Sequence, residues 1–240
     1  MTERLIDRQL ELLDYLTSDA AIFGAADDAG MRGALKGVDP RLLKLEARFS
    51  HEKRMEKIAA VFPRTFRMLG DELDLIVHRF VREAPPREIS RLANACEFYG
   101  VLCAIWDRRP PQPPYLPDVA AVELAFARAH QPETEDSRCD QQASSPSVRR
   151  HRGVILLRCG YDIRALFEGE AAGEAPLRRD TRLAVTLAGD GDQPSVCEIE
   201  ASLFDLIDAL DEWTDPAVLN PLPRHVVDDL IRHALLEVRR

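Results

Sequence analysis

Five cysteines, six histidines and 41 acidic residues are the groups in this 240-residue chain whose spacing could support metal, redox or acid–base chemistry. Cys96, Cys103, Cys139, Cys159 and Cys197 are widely spread, and none forms the C-x-x-C pair of a zinc or dithiol site. Cys96 and Cys103 lie seven apart on what reads as one helix face, where core packing competes with a redox pair and is the simpler account. His51, His78, His130, His151, His225 and His233 include no H-x-x-x-H or H-E-x-x-H spacing. The acidic pairs Asp27-Asp28 and Asp228-Asp229 are adjacent, so on a helix their carboxylates diverge by about 100° and cannot share one proton-transfer task. Arg149-Arg150 and Arg178-Arg179 read as surface charge or partner contacts. Phosphate-binding loops, nucleophile elbows and dinucleotide fingerprints are missing from the sequence. The chain is therefore expected to have no catalytic residue, no metal site and no cofactor of its own.

Charge sharpens that expectation. Residues 1–153 carry 23 Lys and Arg against 24 Asp and Glu, whereas residues 154–240 carry 9 against 17, a net of −8. Such acidity disfavours a nucleic-acid partner, since a phosphate backbone demands cations, and suits a basic partner. The first residues lack a signal-like apolar run and no stretch has membrane-spanning character, so a cytoplasmic protein with no membrane partner is expected.

The elements that must position any site change in period along the chain. Asp39 before Pro40 starts a helix bearing Leu42, Leu43, Phe49, Met55, Ile58 and Ala59, which Pro63 ends or kinks. Leu73, Ile76, Val77, Phe80 and Val81 follow at helical spacing. Ser90 caps a helix whose seam reads Ile89, Leu92, Cys96, Tyr99, Cys103 and Trp106. A proline-rich extended segment then leads into a helix capped by Asp118, with Val119, Val122, Phe126 and Ala129 as its stripe. Residues 131–150 are too polar to form a core and are expected to be a disordered linker. Beyond them, residues 154–157, 183–187 and 196–200 read as short strands, with a turn at 189–192 and helices over 201–213 and 223–238. The predicted architecture is α+β, with a mainly helical N-terminal domain over 1–130 and a small winged-helix or PqqD-like sheet with helices over 151–240.

Two segments carry a resemblance. Residues 62–86 (FPRTFRMLGDELDLIVHRFVREAPP) and 114–130 (PYLPDVAAVELAFARAH) resemble the N-terminal domain of HvfC/BufC-type peptide-modification chaperones. Phe62-Pro63 and Leu69-Gly70 match a Phe-Pro and Leu-Gly-Glu pattern in which Asp71 replaces the glutamate, and Pro114, Tyr115, Leu116, Asp118 and Glu123 match a second element. This group includes the small subunits of the methanobactin and 3-thiaglutamate maturation enzymes. The resemblance implies a heterodimer in which a TIM-barrel partner holds multinuclear iron and oxidises a peptide cysteine, while the small subunit recognises the precursor's leader.

The expected leader-binding residues are Val196, Cys197, Glu198, Ile199 and Glu200 on an edge strand, with Val227 and Ile231 on the last helix. Glu198 and Glu200 would share one face and meet a basic leader. Tyr115, Leu116 and Asp118 are the expected partner interface, as proline-rigidified anchors. Methanobactin-type oxazolone and thioamide formation is the first reading, and 3-thiaglutamate-type maturation the second. A winged-helix DNA-binding regulator remains an alternative from the same element order.

Overall fold

The computed structural model describes residues 2–24, 35, 37–86, 88–130, 146–168, 175–187 and 194–239. The protein is α+β and divides into two compact units, Met1–Pro114 and Tyr115–Arg240.

The described residues of the first unit form helices α1 (Thr2–Leu16), α2 (Asp19–Phe23), α3 (Pro40–Ala59), α4 (Pro63–Leu69), α5 (Glu72–Glu83) and α6 (Arg91–Trp106). Asp39 caps α3 as its residue type predicts, its carboxylate accepting the Arg41 amide at 2.9 Å, with Pro40 in the first turn. Ser90 caps α6 by accepting the Ala93 amide at 3.3 Å. Phe98 is the hub of the core, with its ring centroid 5.9, 5.4 and 5.2 Å from those of Phe62, Phe66 and Phe80. That hub corrects the expected α6 seam. The buried face is Asn94, Ala95, Phe98, Val101, Leu102 and Trp106, while Ile89 is 88% exposed. An apolar helix offers several seams of equal period, and the largest ring that can reach three others decides among them. On α3, Leu43 and Ile58 are buried as expected, but Leu42 and Phe49 face solvent.

The second unit contains α7 (Leu116–Ala129), β1 (Ser147–Arg150), β2 (Ile155–Asp162), β3 (Leu177–Thr186), β4 (Ser195–Glu198), α8 (Ala201–Asp208), α9 (Arg224–Arg232) and β5 (Leu236–Arg239). A three-stranded antiparallel sheet runs in the order β2-β3-β4, and β1 pairs antiparallel with β5. Strand alternation sorts the larger sheet's two faces. Ile155, Leu157, Val185 and Val196 pack with Ala125, Phe126 and Ala129 of α7. Val154, Leu156, Ala184 and Ile199 pack with Ile207, Leu210 and Leu230, together with Val148 and Leu236 of the smaller sheet.

The compact units thus divide between Pro114 and Tyr115, ahead of the expected 131–150 linker, because α7 spends its apolar stripe on β2 and β3. Residues 131–145, and the expected turn at 189–192, lie outside the described residues. Residues 147–150 are not linker. They form β1, with Val148 fully buried and Arg149 only 8% exposed. The guanidinium tolerates this because it donates to Glu237 at 3.0 and 2.8 Å and stacks 4.3 Å over Trp213. Nor does the last helix run to residue 238. It stops at Arg232, Ala234 turns the chain at φ 52°, and Leu236–Arg239 becomes β5.

Candidate functional site: an open strand edge

β4 is the terminal strand of the larger sheet, and its main-chain orientation follows from one bond. Ile199 N donates to Arg182 O at 2.8 Å, continuing the register in which Cys197 faces Ala184 and Ser195 faces Thr186. In an antiparallel ladder, hydrogen-bonded pairs alternate with pairs whose N–H and C=O groups point away from the neighbour. Ser195, Cys197 and Ile199 therefore pair with β3. Val196 and Glu198 direct their main-chain groups to the open side, where among the described residues no strand pairs with them.

The side chains of this edge differ from the expected acidic face. Glu198 lies on β4, but Glu200 is the cap residue of α8, where its carboxylate accepts the Ser202 hydroxyl at 2.9 Å. Glu198 is itself matched by cations. Arg179 donates to both its oxygens, at 2.5 and 3.0 Å, and Arg164 approaches to 2.8 Å. Both arginines also bind Asp162, at 2.6 Å from Arg179 and at 2.9 and 2.8 Å from Arg164. The two hydrogen bonds from the Arg164 side chain and the one from Arg179 hold the Asp162 carboxyl well below the usual carboxylate range, and Arg179 lowers that of Glu198. Four charged side chains thus staple β4 and the turn after β2 onto β3. Sequence reasoning missed this staple; the Arg178-Arg179 pair, with successive side chains on opposite faces of a strand, was its one visible sign.

Val196 packs toward α7, and Cys197 is exposed. Ile199 is 8% exposed and shares a core cluster with Leu230, against which Val227 packs, whereas Ile231 is 41% exposed. The structure therefore places Ile199 in the core with partly buried Val227 packed against the same cluster, and leaves Ile231 facing solvent. The expected interface residues turn inward as well. Leu116 is fully buried, Tyr115 meets Tyr161 edge to face at 6.0 Å, and Asp118 accepts the Tyr161 amide at 3.0 Å instead of capping its helix. That carboxylate ties α7 to β2. Burial, with the charge of Asp118, pushes the Cys159 thiol up to about 12, which keeps it protonated and unreactive at neutral pH.

The first unit supplies a surface that sequence reasoning did not single out. Leu5, Ile6, Leu10 and Leu13 on the α1 side, and Val38, Leu42, Leu45 and Phe49 leading into and along α3, are all between 41% and 62% exposed. These exposed apolar side chains lie on or lead into two helices that pack against each other, and apolar exposure of this kind is the usual ground for suspecting an interaction face. The spacing 38, 42, 45, 49 was its readable signal, a helical seam on the side of α3 opposite the buried one.

No family model matches the chain, and no curated protein sequence matches it. Among the described residues no cluster of His, Cys, Asp and Glu has the geometry to hold a metal ion, and no helix is long and apolar enough to cross a membrane.

Proposed function

We propose that this chain is a non-catalytic peptide-binding subunit, in which the open edge of β4 takes an extended segment of a precursor peptide as an additional strand. The carrying observation is the outward main-chain orientation of Val196 and Glu198. An unpaired edge offers a row of donors and acceptors, and peptide recognition by strand addition draws its affinity from that row. The staple through Arg164 and Arg179 suits the role, because an edge held in register is pre-organised for a fourth strand. A basic leader fits the net charge of −8 over residues 154–240, with Glu198 already matched by arginines and Asp229 by Arg232, so that the remaining attraction rests on acids such as Asp228.

The resemblance of residues 62–86 and 114–130 to HvfC/BufC-type chaperones supports a cytoplasmic setting and a TIM-barrel multinuclear-iron enzyme as the partner, with methanobactin-type cysteine oxidation as the chemistry. The partner docks on the exposed face of α1 and α3, since Leu116 is unavailable in the core. The test uses a labelled basic, aliphatic-rich peptide and fluorescence anisotropy on the full chain. Val196→Pro deletes an outward N–H while sparing every bond to β3, so it should abolish binding and leave the fold intact. Undiminished binding by this variant would exclude strand addition at β4. Co-purification from the native host, with and without Leu45→Glu, tests the partner.

A further inference from the structure

The first unit holds a half-open cavity of about 320 Å³, within the size range of sites that take small ligands. Its floor is apolar, built from Leu16 of α1, Ile22 of α2 and Val81 of α5. Ile89, 88% exposed, stands in its wall as an aliphatic side chain with little of its own to cover.

The cavity's charge is one-sided. Lys53 and Lys57 line it at i,i+4 on α3, both exposed, and among the described residues neither has a carboxylate or hydrogen-bond partner. Arg54 lies between them in sequence but is already committed, giving Nε to Asn94 Oδ1 at 2.6 Å, Nη1 to Ala84 O at 2.8 Å and Nη2 to Glu97 at 2.9 Å. It is a wall, not a free cation. His51 adds no charge at neutral pH, since burial and the neighbouring Arg54 hold it below its ordinary value. Glu88 is the carboxylate that lines the cavity, against two lysines.

We propose that this cavity binds a free anionic amphiphile, an unbranched aliphatic chain headed by a carboxylate, with the chain against Leu16, Ile22 and Val81 and the head at Lys53 and Lys57. The lining is mostly apolar, and its Thr17, Ser50, Arg54 and Asn94 are committed to hydrogen bonds within the chain, which favours an aliphatic body over a sugar or nucleotide; paired ammonium groups at exposed positions favour a compact anion that stays near water. The occupant is a single molecule and not a bilayer, because α1, which borders the cavity, carries Glu3, Asp7, Glu11 and Asp14 against Arg4 and Arg8, and that net negative charge does not favour an anionic membrane surface.

Isothermal titration of the full chain with hexanoate, octanoate and decanoate, each below its micelle concentration, tests the site. Saturable one-to-one binding is expected, tightening by roughly threefold to fourfold per methylene until the cavity is full. Lys53→Gln/Lys57→Gln should weaken decanoate about tenfold and leave decanol unchanged, since exposed ion pairs contribute little each and nothing to a neutral head. Ile89→Ser, at a position too exposed to affect folding, should weaken both ligands. Val81→Trp should block both. If the three carboxylates do not saturate, if affinity ignores chain length, or if Ile89→Ser and the double lysine variant both bind decanoate like wild type, the assignment is wrong. Binding to phosphatidylglycerol vesicles in place of decanoate would equally overturn it.

Discussion

Two short strands of the second unit, β1 and β4, are each four residues long and end in opposite circumstances. β1 is enclosed on both sides. β5 pairs along one edge, and on the other Val148 exchanges bonds of 2.9 and 2.8 Å with Thr214. Even its charged side chains are consumed, since Arg149 binds Glu237 and stacks on Trp213, and Arg150 binds Asp208 and Asp211. Among the described residues β4 has a neighbouring strand on one side alone, and its charges are arranged to fix its position, not to cover its free edge. Enclosure is what a strand gains when it serves stability; a rigid strand left open is the form that serves recognition.

The comparison is most easily broken at β1. Arg149→Ala strands Glu237 in a largely buried setting and removes a cation from the Trp213 ring, so it should lower the unfolding free energy by about 3 to 5 kcal/mol in urea titration. A loss no larger than that of an exposed pair would mean β1 is as loosely held as β4. Next in size is a pair of proline substitutions on β4 itself. Cys197→Pro removes a bond to β3 and should cost about 3 kcal/mol, while Val196→Pro, one residue earlier, should cost under about 1 kcal/mol. Equal losses would show that the outward and inward assignments are wrong.

A smaller effect with the opposite sign is expected where α9 gives way to β5. Ala234 sits at φ 52°, which an L side chain tolerates poorly, so Ala234→Gly should raise stability by about 1 kcal/mol or less by thermal melting. The least effect belongs to the staple. Asp162 and Glu198 have folded-state pKa values below their ordinary 3.8 and 4.5, so their contribution is complete above those values and is lost as pH falls below them. Glu198→Gln should thus be less stable than wild type at pH 7, by under about 1 kcal/mol, and the difference should shrink below about pH 4. A difference that persists at pH 2 would point to packing as its source.

The same contrast explains what was legible in the sequence. Local chemistry was read correctly at the Asp39-Pro40 and Ser90 caps, at the break before Pro63 and in the three strands of the larger sheet, because each is decided within a few residues. β1 was invisible, since Ser-Val-Arg-Arg has a polar composition and its burial depends on Glu237 and Trp213, both more than 60 positions away. The face of α6 was misread for a related reason: the choice lies with Phe62, Phe66 and Phe80, none of which is on that helix. At the site, the strand edge was found, while the acidic face was not, because Glu200 leaves the strand to cap α8 and Glu198 is claimed by arginines from two other segments.

The contact of both Arg149 and Arg239 with the Trp213 ring, at 4.3 and 4.4 Å, has an optical consequence. The chain holds two tryptophans, and they fall one to each compact unit, with Trp106 in the first and Trp213 in the second. Trp106 is 7% exposed in an apolar core, and its indole N–H finds no acceptor among the described residues, an environment of blue-shifted emission. Trp213 is contacted by two cations, one from β1 and one from β5, and its emission should respond to any loosening of β1 against β5. With Trp106→Phe and Trp213→Phe in hand, the colour of the remaining fluorophore reports which half of the molecule a peptide, a carboxylate or a denaturant has reached.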